Sequence, residues 1–116
     1  MAGLGLPIAV EALSALAHGH RLAVFRLLVR AGDHGVSAGE IAKEVGVPSS
    51  TLSTHLTILA HAGLIRARRD GRSIIYRADY EKMRDLLDFL VADCCNGRPE
   101  ICAALNGLVQ TCCLSA

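Results

Sequence analysis

Apolar side chains recur at intervals of three and four along much of this chain, the spacing that lines one face of an α-helix. The first run starts near Leu6 or Ile8 and reaches about Ala17, with Ala9, Ala12, Leu13 and Leu16 on one face. Gly19-His20 interrupts it. A second run, from about His20 to Arg30, places Leu22, Phe25 and Val29 in a stripe and turns Arg21, Arg26 and Arg30 mostly away. Gly32-Asp33-His34-Gly35 then predicts a turn.

Ser37-Ala38-Gly39-Glu40 has the form of a capping box, in which the serine accepts from the Glu40 backbone N–H and the glutamate side chain reaches back. Val36 and Ile41 stand where a hydrophobic staple would place them, and this third helix should end near Val45-Gly46. Three residues later Ser49 or Ser50 can begin a fourth helix, with Pro48 pre-setting the backbone and the helix running to about Ala62. Successive helical residues are turned by about 100°. Leu52, Leu56 and Leu59 therefore form a core-facing stripe, while Ser50, Thr54, Thr57 and His61 project opposite, with Ser53 on the flank. Small uncharged side chains on that face would let base edges and phosphates approach the backbone.

After Gly63, the strand-like runs Leu64–Arg69 and Ser73–Arg77 flank Arg69-Asp70-Gly71-Arg72. Asp-Gly predicts a two-residue hairpin loop with Arg69 and Arg72 at its tip. Two short helices joined by a tight turn, followed at once by an arginine-tipped hairpin, define a winged helix-turn-helix: a mainly α fold with a β-hairpin wing. Its second short helix would enter the major groove and its wing would reach the backbone or minor groove of double-stranded DNA. Asp79 can cap a fifth helix whose apolar face carries Met83, Leu86, Leu87, Leu90 and Val91. Neither the first nor the fifth helix is needed to present the wing. Their apolar stripes predict a homodimer joined through the N- and C-terminal helices.

Composition agrees with a single, mostly helical domain. The 116 residues are 52% hydrophobic, and 17 Ala with 17 Leu supply 34 of them. Disorder is excluded by that apolar fraction together with a net charge of only +1. That charge is uneven: Ser49–Arg77 holds Arg66, Arg68, Arg69, Arg72 and Arg77 against Asp70, a balance of +4, leaving −3 elsewhere. A locally basic surface on a near-neutral chain implies an anionic partner met by one face. The longest stretch without Asp, Glu, Lys or Arg, Val45–Ile65, carries Pro48 and eight Ser, Thr and His side chains, so no membrane span is expected. No Lys or Arg precedes the apolar N-terminal residues, so a secretory signal is not expected and the chain reads as cytoplasmic. There is no nucleophile–base set, phosphate loop or carboxylate pair to suggest an enzyme, and His55 is expected to pack between wing and helix.

All five cysteines, Cys94, Cys95, Cys102, Cys112 and Cys113, fall in the last 23 residues. In a reducing cytosol such clustering favours metal binding or redox sensing over structural disulfides. The fifth helix should fray at Cys94-Cys95, since Asn96-Gly97 and Pro99 follow, so this pair and, after a short bend, Cys102 can converge on one soft ion. Cys-x2-Cys pairs are absent, and His18, His20, His34, His55 and His61 all precede the wing, so a zinc site built on the fifth helix lacks its ligands. Three thiolates suit trivalent arsenic or antimony.

Ala17–Leu28, Gly39–Ala42, Ser50–Leu59, Ala62–Ile65, Asp70-Gly71-Arg72 and Tyr76, in this order and spacing, resemble the ArsR/SmtB family of bacterial winged-helix repressors over about residues 8 to 95. The resemblance implies a dimer that sits on operator DNA and is released by a metal or metalloid. It implies a reading helix around Ser50 to Thr57, with Ser50, Thr51, Ser53, Thr54 and Thr57 as candidates, and a wing around Arg69 to Arg72. Ala42–Gly46 lacks the paired cysteines of the family's third-helix arsenic site, and Cys94–Cys102 is similar instead to the subgroup with an arsenite site at the end of the fifth helix. Cys94, Cys95 and Cys102 are thus the candidate ligands of arsenite as inducer, with antimonite, methylarsenite, a thiophilic divalent metal or thiol oxidation as alternatives. Cys112-Cys113 lies outside that pattern and is read as a second site, a relay or a redox tail. The expected organisation is a DNA-binding and dimerisation domain over residues 1–95 and a cysteine-rich tail over 96–116.

Overall fold

Local capping chemistry sets the element boundaries. The computed structural model describes residues 5–91, so the domain boundary at residue 95, the 96–116 tail and every cysteine lie outside the described residues. Within them run α1 (Leu6–Leu16), α2 (Gly19–Ala31), a 3-10 turn (Gly32–His34), β1 (Val36–Ser37), α3 (Ala38–Val45), α4 (Ser49–His61), β2 (Ile65–Asp70), β3 (Ser73–Ala78) and α5 (Tyr80–Val91). Ser37 caps α3, accepting from the Glu40 N–H at 3.3 Å, and its hydroxyl donates to Glu40 Oε1 at 3.3 Å. The glutamate thus returns to the serine hydroxyl rather than to its backbone. Gly46 ends α3 in the left-handed conformation, φ 80°.

The strands form an antiparallel sheet of order β1-β3-β2. The hairpin was expected, but β1, two residues long, was not. It pairs Val36 with Tyr76 and Ser37 with Ile75. Gly35 permits this approach: at φ 74°, a Cβ there would lie 2.6 Å from the Tyr76 carbonyl oxygen.

Val24, Phe25, Leu28, Ile41, Leu52, Leu56, Leu59, Leu64, Ile65 and Leu86 fill the core. Two apolar faces are rotated from the expected ones. Helix α1 buries Ala9, Ala12 and Ala15 and leaves Leu6, Ile8, Val10 and Leu13 exposed, so small residues bring its backbone close to the body while large ones point outward. Helix α2 buries Val24, Phe25 and Leu28, whereas Leu22 is exposed and Val29 half-buried. On α5 only Leu86 is fully buried, with Leu87 and Leu90 exposed. Leu13, Leu22, Met83, Leu87 and Leu90 line an open apolar groove of about 450 Å³ between α1, α2 and α5. No helix among the described residues is long and apolar enough to cross a membrane.

Helix α5 is anchored at its start. The Tyr80 hydroxyl donates to the Val29 carbonyl at 3.0 Å, and Asp79 Oδ1 accepts from the Lys82 N–H at 3.0 Å. Asp79 Oδ2 also accepts from Arg66 Nε at 2.8 Å. Burial pushes the Asp79 carboxyl up, but the hydrogen bonds from Arg66 and the Lys82 backbone, with the guanidinium charge, hold it on balance below the ordinary carboxylate range. A lowered folded pKa contributes stability that is present above the unfolded pKa and disappears as pH falls through the folded one. Asp79→Ala should therefore cost about 1 kcal/mol near neutral pH, the usual worth of an N-cap. Urea unfolding of both proteins from neutral to acid pH checks this: the difference should narrow with acid, and an undiminished difference would show that Asp79 acts by packing.

Candidate nucleic-acid interface

Helix α4 is held by its leucines. Leu52, Leu56 and Leu59 are 1%, 3% and 0% exposed, and this rotation leaves Ser50, Thr51, Ser53, Thr54 and Thr57 all exposed. Thr57 Oγ1 donates to the Ser53 carbonyl at 2.9 Å, so its proton is committed within the helix and it offers only a methyl group and an acceptor outward. The hydroxyls of Ser50, Thr51, Ser53 and Thr54 have no protein partner among the described residues. Pro48, not a serine, is the N-cap, and no side chain caps the first turn. The leading N–H groups of α4 thus remain open to an anion. His61, expected on the same exposed side, is paired with Glu11 of α1 at 3.1 Å.

The wing is less basic toward solvent than its composition implied. Arg66 is bound to Asp79, Arg68 donates to the His34 carbonyl at 3.0 Å, and Arg77 lies 4.0 Å from Asp33. Arg69 and Arg72 are exposed and have no such partner among the described residues. Asp70 pairs with Ser73, so the loop is Gly71-Arg72, one residue later than the expected Asp70-Gly71. Gly71, at φ 64°, takes the left-handed position. Arg72 therefore sits in the turn, while Arg69 lies in β2 opposite Ile74.

His55 is buried on α4, beside the start of α2. Its ring lies 4.7 Å from that of His18 and 5.6 Å from that of His20, centroid to centroid, both at the start of α2. His18 Nδ1 accepts from the His20 N–H at 3.2 Å and so caps α2. Buried His55 Nδ1 has no hydrogen-bond partner among the described residues. Burial, then the charges of His18, Arg21 and His20, hold the His55 imidazole below its ordinary pKa. The sequence signal for this cluster was the His18-Gly19-His20 step before a helix, which reading each histidine singly did not connect to His55. The candidate thiols Cys94, Cys95 and Cys102 lie outside the described residues.

An exposed uncharged helix face, a helix-turn-helix beneath it and a hairpin whose Arg69 and Arg72 are unpaired among the described residues together define a winged helix-turn-helix DNA-binding protein. The helix-turn-helix domain family matches residues 16–68. The HTH-type transcriptional regulator KmtR of Mycobacterium tuberculosis (strain ATCC 25618 / H37Rv) is 39% identical over 80 residues, covering 69% of this chain and 59% of KmtR. The NMR structure of the homodimeric winged helix-turn-helix domain of Mb0332 from Mycobacterium bovis, a possible ArsR-family regulator, matches with TM-score 0.62 at 33% identity, over 80% of this chain and 91% of that one. The crystal structure of a possible transcriptional regulator for arsenical resistance matches with TM-score 0.62 at 29% identity, over 69% and 80%. The chain belongs to the ArsR family of winged helix-turn-helix transcriptional regulators, and these relatives are regulators rather than enzymes.

Replacing Arg69 and Arg72 together with Ala should weaken DNA binding and flatten its salt dependence, each lost phosphate contact removing about 0.9 from the logarithmic slope. An unchanged slope would place the wing tip off the DNA. Thr54→Ala should instead change preference among operator variants, and identical base-by-base operator scans for it and the parent would overturn the reading face.

Proposed function

We propose that the chain is a homodimeric repressor that binds double-stranded operator DNA and is released when trivalent arsenic bonds the thiolates of Cys94, Cys95 and Cys102. The observation that carries the DNA-binding half is the pairing of an uncharged, exposed α4 face with two hairpin arginines that no group among the described residues engages. The homodimer is supported by the large apolar side chains exposed on α1 and α5, Leu87 and Leu90 at 48% and 52% among them, and by the homodimeric state of Mb0332. The inducer reading rests on the thiol spacing, on the softness that three thiolates share with arsenic, and on the likeness to a possible regulator for arsenical resistance. Antimonite has the same soft, three-coordinate chemistry and is the nearest alternative.

Coupling between the two halves has a physical route. Helix α5 is described as far as Val91, three positions before Cys94 in the sequence, and its start is tied to α2 through Tyr80 and Val29 and to β2 through Asp79 and Arg66. Metalloid bonds that reshape the far end of α5 would shift the dimer packing and with it the spacing of the two reading helices, which must match the half-site spacing of the operator.

Cys102→Ser should bind operator like the parent yet respond to arsenite far more weakly, while the joint change Cys112→Ser and Cys113→Ser should have a smaller effect. Titrating operator release with arsenite, antimonite, methylarsenite and peroxide checks both. A fully responsive Cys102→Ser protein would mean the wrong thiols, and release by peroxide alone would replace the metalloid by oxidation. Leu87→Glu with Leu90→Glu should yield a monomer in sedimentation and lower operator affinity at least tenfold. A dimer that survives would move the interface off α5.

A further inference from the structure

We propose that His18, His20 and His55 form a three-imidazole site for a borderline divalent transition-metal ion such as zinc, separate from the thiols. One candidate nitrogen from each residue falls within 4.8 Å of the others, drawn from two elements, the start of α2 and the interior of α4. Around a tetrahedral ion with Zn–N of about 2.0–2.1 Å, neighbouring nitrogens stand about 3.4 Å apart, so closure asks for a shift of about 1.4 Å at most. His18 and His20 are exposed, so solvent leaves room for that shift, whereas His55, 7% exposed, is the fixed point.

The second observation is the unpartnered Nδ1 of that buried ring. Buried polar atoms in folded proteins are nearly always satisfied, and a leucine would fill the same space with no orphaned nitrogen. The donor set also defines the ion. Three neutral imidazoles without carboxylate or thiolate reject calcium, magnesium and trivalent arsenic alike, and suit zinc, nickel, cobalt or copper with water completing the shell.

Occupancy would reach beyond the site. A neutral imidazole has one nitrogen lone pair, and that of His18 is engaged with the His20 N–H. Coordination by His18 therefore requires this cap to be given up, so the ion exchanges a local bond at the start of α2 for a link from α2 to α4. Because α4 also carries Ser50 to Thr57, the link ties the seating of the reading face to a second input.

The test uses the full chain with all five cysteines changed to serine, which separates this site from the thiol reading. Cobalt(II) titration should show one ion per chain, with ligand-field absorption and no thiolate charge-transfer band. His20→Gln, and His18→Asn, which keeps a capping side chain while removing the imidazole, should each weaken uptake at least tenfold at unchanged helical content. Failure to take up cobalt, or uptake that neither substitution changes, would make the cluster packing only. If the cysteine-free chain does not fold, zinc-induced shifts of the imidazole protons in the unaltered chain decide it: the three rings should move together, and rings that do not move would overturn the site. Cobalt uptake by the cysteine-free chain, together with failure of arsenite to release the unaltered chain from operator, would leave this site standing and remove the thiol inducer.

Discussion

The rotation of α4 about its own axis is the constraint on which the other features depend. Burying Leu52, Leu56 and Leu59 leaves the helix one way to face, because a shift of one residue would turn it by about 100° and carry Ser53 or Thr57 into the core. Holding that register requires the partners of the stripe: Ile41 from α3, Val24 and Leu28 from α2, and Leu64 at the root of the hairpin, all fully buried. The exposed serine and threonine face is the other side of the same geometry. His55 follows from it too. Three residues after Leu52 and four before Leu59, it lies on the buried side whatever its polarity, so its imidazole must find neighbours there.

Signals confined to a few residues were legible in the sequence, and contacts across the chain were not. Ser37 and Glu40, Gly46, Asp79 and the turn glycine Gly71 each act within four residues, so their chemistry can be read directly. Periodicity marked α1 and α2 as amphipathic helices but could not say which apolar side chains meet the body. Ala9, Ala12 and Ala15 pack inward because close helix approach favours small residues, and that is decided by the neighbouring helices rather than by spacing. The same holds for the wing. Arg66, Arg68 and Arg77 are engaged by Asp79, His34 and Asp33, partners distant in the chain or across a strand turn, and a count of charges cannot distinguish them from Arg69 and Arg72. A two-residue strand such as β1 has no pattern of its own and exists because β3 offers it an edge.

Division of labour among the arginines shapes how such a protein would hold DNA. Those that fasten the hairpin to Asp79, to the His34 carbonyl and to Asp33 position the wing but are not free for phosphates. The two wing arginines that have no partner among the described residues would give four in a dimer, and four wing phosphate contacts correspond to about 3.6 of the logarithmic salt slope. The wing alone would thus supply little sequence-independent grip, and the proposed dimer would rely on contacts by two α4 helices at the right separation. Affinity that depends on separation is lost when the separation changes. A coupling of ~1–3 kcal/mol, worth about 5–150-fold, would then suffice for release. A repressor anchored by many lysines would stay bound through the same change in spacing, held by contacts indifferent to register. In the proposed repressor, the sparse charge of this wing and the uncharged face of α4 would be the properties that let a small rearrangement at the end of α5 act as a switch.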